Sequence, residues 1–161
     1  MELEKAISAV QYALEMEKEG VRFYGEKADE ATTPSVKDLF TGLKRMEENH
    51  VDYLSKVLGH LKDENTFLDE MPPEETPFER LKAEESEFNF GEIAALRMAM
   101  LLEHDFAQFY KKAAEHTDDD IGKQIYLKLA KWEEEHEAAI RNELDNLMKE
   151  HWYDMGFSPL L

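Results

Sequence analysis

The sequence predicts an all-α chain, a four-helix bundle built from two helical hairpins joined by a long crossover. Three observations predict it. Four segments carry apolar residues at alternating steps of three and four, the spacing that keeps side chains on one helix face. Segments one and two are separated by a short turn, as are three and four, and short turns make antiparallel neighbours. Between the pairs lies a polar, proline-containing stretch long enough to run the length of a bundle.

The first segment carries Ile7, Val10, Leu14, Val21, Tyr24 and Ala28 on one stripe. Thr33-Pro34 then marks a break. Thr33 can cap the next helix, and Pro34 can take its first position, where a missing N–H costs nothing. The second segment carries Val36, Phe40, Leu43, Leu54, Val57 and Leu61. The crossover follows, over about residues 63–90. Inside it, Thr76-Pro77-Phe78-Glu79 has the form of a capping box, so a short extra helix reaching about Glu87 is expected. The third segment carries Ile93, Leu96, Met100, Ala107, Tyr110 and Ala114. Thr117-Asp118-Asp119-Asp120 is an acidic cap and turn. The fourth carries Ile125, Tyr126, Leu129, Ile140, Leu144 and Leu147. Residues 1–150 thus form the bundle, and 151–161 a short apolar tail with no room for another substantial helix.

A chain of 161 residues suits one domain with one core. Its 42% hydrophobic content supplies the apolar mass and argues against wholesale disorder, despite 35% charged residues. The formal net charge of −18 argues against nucleic acid and against an anionic membrane surface, both of which call for clustered Lys and Arg. A negative surface attracts cations and basic proteins instead. With no Cys, thiolate zinc sites, iron–sulfur clusters and cysteine nucleophiles are excluded, so any metal must use oxygen and imidazole ligands. The acidic start, Glu2-Leu3-Glu4-Lys5, has no apolar signal core, and no stretch approaches the ~18 apolar residues of a membrane span. A soluble, cytoplasmic protein is the expectation.

Each stripe is interrupted by polar residues where apolar ones belong. Glu17 falls between Leu14 and Val21, Glu47 and His50 between Leu43 and Leu54, Glu103 between Met100 and Ala107, and Glu133 and His136 between Leu129 and Ile140. Four uncompensated carboxylates in a bundle core would be prohibitively costly. They must be protonated, paired with cations or bound to metal, and no Lys or Arg sits on these stripes near them. Two divalent ions would balance the four carboxylates and leave two neutral imidazoles to complete a ligand set.

The spacings repeat. Glu17 and Tyr24 are seven apart, as are Glu103 and Tyr110, and both histidines stand in Glu-x-x-His pairs. One offset of 86 residues superposes all six candidate ligands and also matches Ile7 with Ile93, Ala13 with Ala99, Phe23 with Phe109, Ala28 with Ala114 and Leu43 with Leu129. The hairpin is repeated as a unit, and a site of approximate two-fold symmetry follows. A lone Glu-x-x-His is weak, since such pairs are often surface contacts. Two in register with two Glu-x6-Tyr pairs, all on apolar stripes, are specific.

Two Glu helices plus two Glu-x-x-His helices are the arrangement of the ferritin-like di-metal carboxylate proteins. Over roughly residues 5–150 the chain resembles the rubrerythrin-type branch, and Ala13 to Tyr24 is similar to that branch's first helix. The resemblance implies Glu17 and Glu103 as terminal ligands, Glu47 and Glu133 as bridges, and His50 and His136 as ligands of one metal each. It implies Tyr24 and Tyr110 as donors to ligand carboxylates, against the alternative of plain core packing. There are departures. Prototypical rubrerythrins carry a cysteine-bound rubredoxin domain, which a chain without Cys lacks. They also carry one more Glu three residues after the third-helix ligand, where this chain has Phe106, which weakens the case for peroxidase activity. The six-ligand set is similar to bacterioferritin sites, yet the fifth helix of cage ferritins has no room here.

The remaining histidines are read as bystanders. His104 points about 100° away from its ligand neighbour along the helix, and His60, His116 and His151 lie near helix ends. Gly20, one turn after Glu17, either opens space for dioxygen or peroxide or admits close helix packing.

The resemblance implies a non-haem di-iron oxidoreductase, a peroxidase or oxidase, that protects against hydrogen peroxide or dioxygen. Its cofactors would be two iron ions. Its electron donor would be separate, a rubredoxin or a flavoprotein reductase. Manganese in the same ligands would give a catalase-like enzyme. The rival reading is a ferroxidase or iron-handling protein. A homodimer is expected, with exchange of hairpins between chains as a variant.

Overall fold

The computed structural model describes residues 2–75 and 89–154, with 150–154 described by their backbone alone. Four helices account for nearly all of it: α1 (Leu3–Glu30), α2 (Pro34–Glu64), α3 (Phe90–His116) and α4 (Asp120–Asp154). Helices α1 and α2 pack closely along their lengths, as do α3 and α4, so the molecule is two hairpins laid together. The expected all-α bundle of two hairpins, consistent with the ferritin-like fold, is the one observed. Among the described residues no helix is long and apolar enough to cross a membrane.

The helix ends follow local chemistry. Pro34 opens α2, as expected. The Thr33 hydroxyl makes no capping bond; it turns away and donates to Glu92 of α3 at 2.5 Å. That is a correction to its expected role, and its cause is the stronger, charged acceptor nearby. The N–H groups of Thr32 and Thr33 donate to the same carboxylate at 2.6 and 2.8 Å. Glu92 thereby ties the first hairpin's turn to the start of the second hairpin. Asn65 closes α2 in the left-handed region at φ 59°, which Asn tolerates better than most residues. Asn89 caps α3 through its side chain, and Asp119 accepts from the Gly122 N–H at the start of α4, as the acidic turn implied.

Helix α4 runs to Asp154, so it continues through the first four residues of the expected tail. The capping box at Thr76 and the rest of the tail lie outside the described residues.

The core divides into two clusters. One holds Val10, Leu14, Leu54, Val57, Leu61, Phe67, Ile125 and Leu129; the other holds Ala28, Val36, Phe40, Leu43, Leu96 and Ile140. Between them, at mid-height on all four helices, lies a layer of buried polar side chains.

Candidate metal centre

All six candidate ligands come together in that layer. Glu17, Glu47, His50, Glu103, Glu133 and His136 are each no more than 3% exposed. They form two overlapping groups of four, Glu17–Glu47–His50–Glu133 and Glu47–Glu103–Glu133–His136. Within each group, one ligand atom from every residue lies within 4.8 Å of the others. Glu47 and Glu133 belong to both groups, as a pair of bridging carboxylates would. Each group takes three residues from one hairpin and one from the other.

The imidazoles aim the same nitrogen inward. Nδ1 of His50 stands 3.1 Å from Glu133 and 3.4 Å from Glu17. Nδ1 of His136 stands 3.4 Å from Glu47, 3.4 Å from Glu133 and 3.6 Å from Glu103. The two rings lie 5.8 Å apart and nearly parallel, at 15°.

The tyrosines cross over. Tyr24 of α1 donates to Glu103 of α3, and Tyr110 of α3 donates to Glu17 of α1, each at 2.5 Å. Burial, helped by the surrounding carboxylates, pushes both phenols well above their ordinary range, so they remain donors. The alternative of plain packing is set aside by these contacts.

Hydrogen bonds within the protein leave much of the cluster unanswered. Glu17 Oε2, Glu103 Oε2, both oxygens of Glu47 and Glu133, and Nδ1 of His50 are buried without a hydrogen-bond partner. Burial, reinforced by the charges of Glu103 and Glu47, pushes Glu133 well above the carboxylate range. Burial also opposes ionisation of Glu47, but His136 and His50 outweigh it and hold Glu47 at about 2. Orphaned carboxylate oxygens facing one another and an orphaned imidazole nitrogen are costly. Hard and borderline divalent cations take this donor set, and the residues therefore fit a metal centre.

Glu75 is the site residue that periodicity missed. It lies in the crossover, and its Oε2 is 2.7 Å from Nε2 of His136 in a hydrogen bond. Its Oε1 is also 2.7 Å from Nε2 of His50, an approach of ion-pair length rather than an aligned hydrogen bond. No spacing rule reaches a loop residue. The available signal was chemical, because each ligand imidazole needs an acceptor for its outer nitrogen.

The expected bystanders are where they were placed. His104 is half exposed and 3.7 Å from Glu137, while His60 and His116 contact backbone carbonyls of Thr66 and Lys112. The side chain of His151 lies outside the described residues. Gly20 answers to packing: a Cβ there would stand 3.2 Å from the Phe106 ring and 3.5 Å from Glu47 Cγ. Gly20 and Phe106 occupy equivalent positions of the repeat, so the ring of one half fills the gap left by the other.

No curated protein and no solved structure matches the chain. The rubrerythrin family model matches residues 8–144, which takes in all six clustered ligands and both tyrosines. Family and cluster together fit a di-iron protein. On that match, spanning most of its length, the chain belongs to the rubrerythrin family.

Proposed function

We propose that the chain is a non-haem di-iron oxidoreductase that reduces hydrogen peroxide or dioxygen. The observation that carries this reading is the pair of overlapping three-glutamate, one-histidine groups sharing Glu47 and Glu133. When bound, two ferrous ions supply the electrons for that reduction. Glu17, Glu47, His50, Glu103, Glu133 and His136 would hold the metal, Glu47 and Glu133 being common to both groups and the two histidines offering Nδ1. Tyr24 and Tyr110 hold the terminal carboxylates in place with their hydroxyl protons. The apolar clusters on either side exclude bulk water, which strengthens every charge interaction between them. A separate donor, a rubredoxin or a flavoprotein reductase, returns the electrons, since this chain has no cysteine with which to hold an iron–sulfur centre.

The test is metal analysis followed by rapid mixing. Protein purified without added metal, or reconstituted anaerobically, should carry two irons per chain. Mixing the ferrous form with peroxide and, separately, with dioxygen then shows which of the two oxidises it faster. Glu47→Ala should lose both metals while keeping its helical content. Absence of stoichiometric metal, with none taken up on reconstitution, would sink the reading.

Phe106 favours a second reading. The ring leaves the centre with six symmetric ligands, the set of a ferroxidase that passes iron on. A cage-sized assembly with bulk iron would favour iron handling, and a dimer with two irons per chain the redox enzyme. Stoichiometric manganese would shift the reading to a catalase-like reaction.

A further inference from the structure

Every clustered ligand has a counterpart 86 residues away, but Glu75 has none in the other hairpin. One carboxylate reaches both histidines, 2.7 Å from each Nε2, and so stands on the approximate two-fold axis with one oxygen for each half. The crossover holds it there by several anchors. Phe67 is 3% exposed in the core, and Pro72 is buried. The Tyr53 hydroxyl donates to the Glu70 carbonyl at 2.6 Å, and Lys128 of α4 pairs with Glu74 at 2.9 Å. The crossover is thus fastened to both hairpins before it reaches the histidines.

We propose that Glu75 is the positioning residue for both histidines of the centre: it accepts the His136 Nε2–H in the hydrogen bond already present and, once metal seats the rings, the His50 Nε2–H across the 2.7 Å approach, so that both Nδ1 atoms face the glutamates, and it thereby couples the seating of the crossover to metal binding. An imidazole whose outer N–H is held by a carboxylate is locked in tautomer and ring orientation and is a more basic ligand. Two imidazoles held by one carboxylate are locked together. The coupling is reciprocal: what the crossover contributes to metal affinity, the metal returns to the crossover.

The proposal rests on the di-metal reading, and its test separates the two. Zinc serves as a diamagnetic probe on the full chain, with affinities read by chelator competition and imidazole protons by nitrogen-correlated NMR. The wild type should bind two zinc ions, show two slowly exchanging Nε2–H protons, and gain hydrogen-exchange protection over residues 68–75 on loading. Glu75→Gln offers one acceptor oxygen, while its amide N–H groups oppose the second imidazole. It should keep one tight zinc and one protected Nε2–H, and bind the second zinc about 10–100-fold more weakly. Glu75→Ala should weaken both ions, lose both protected protons and leave residues 68–75 unprotected by metal, with helical content unchanged. A wild type that binds two zinc ions, with both variants matching it in affinity and in protected protons, would overturn the role of Glu75 alone. A wild type that binds no zinc would overturn the metal centre and this proposal with it.

Discussion

The Tyr24 hydroxyl reaches across the bundle to Glu103, and Tyr110 returns the contact to Glu17, so each hairpin's tyrosine serves the other hairpin's glutamate. Both phenols are fully buried. Tyr24→Phe leaves a buried carboxylate oxygen without its donor, which costs about 1–3 kcal/mol. Tyr110→Phe should cost the same within error, because the two contacts are related by the repeat. Urea unfolding of the metal-free chain measures both. A large loss in one variant and none in the other would show that the two halves are not equivalent.

Glu92 accepts four hydrogen bonds from Thr32 and Thr33. Burial works to raise its pKa, but the threonine donors more than offset this and hold it below the usual carboxylate value of 4.5. A folded pKa below the unfolded one adds stability that is fully present above the unfolded value and is lost as pH falls through the folded one. Glu92→Gln should therefore cost about 1–3 kcal/mol at neutral pH, and the gap to wild type should narrow as pH falls below the ordinary carboxylate value of about 4.3 and through the lowered folded one. Paired denaturation curves at several pH values give the answer. A gap independent of pH would mean that the charge is not what matters.

Gly122 lies under the Phe67 ring. A Cβ at this position would sit 2.6 Å from Phe67 Cε2 and 2.8 Å from Cζ, closer than real contacts allow. Gly122→Ala should destabilise by about 1–3 kcal/mol through overpacking. Trimming the ring in a Gly122→Ala, Phe67→Leu double variant should recover part of that loss relative to the sum of the singles. Strict additivity of the two would rule the clash out.

The contact of Gly20 with Phe106 is milder, at 3.2 Å from the ring edge. Alanine gains about 1 kcal/mol over glycine inside a helix. That gain should be suppressed in Gly20→Ala alone and expressed when Phe106→Leu is present, a coupling readable from a double-mutant cycle. Equal effects of Gly20→Ala in both backgrounds would show that the ring does not constrain this position.

The parts of the molecule legible in the sequence were those that obey a period. Leu14, Leu43, Leu96 and Leu129 marked the helix faces, and Glu17, Glu47, Glu103 and Glu133 stood out because acids do not belong on such stripes. Contacts that connect elements of unrelated register were not legible. Glu92 is a buried acid too, yet it follows Gly91 at a helix start, where an acidic residue is ordinary. Glu75 sits among prolines and other acids in a segment without periodicity, and only its approach to two imidazoles distinguishes it. The stripe on α1 also ran one residue off at its middle: Gly20, not Val21, faces the bundle, because packing against the Phe106 ring favours a position with no side chain.

The division of each four-residue group, three from one hairpin and one from the other, bears on how the protein is born. The first hairpin alone supplies Glu17, Glu47 and His50, and its fourth partner is Glu133 on the last helix. During synthesis neither of the two groups is complete until that helix has left the ribosome and folded back. Completion of either four-residue group is thus a mark of finished folding, and a nascent chain that lacks α4 holds neither group.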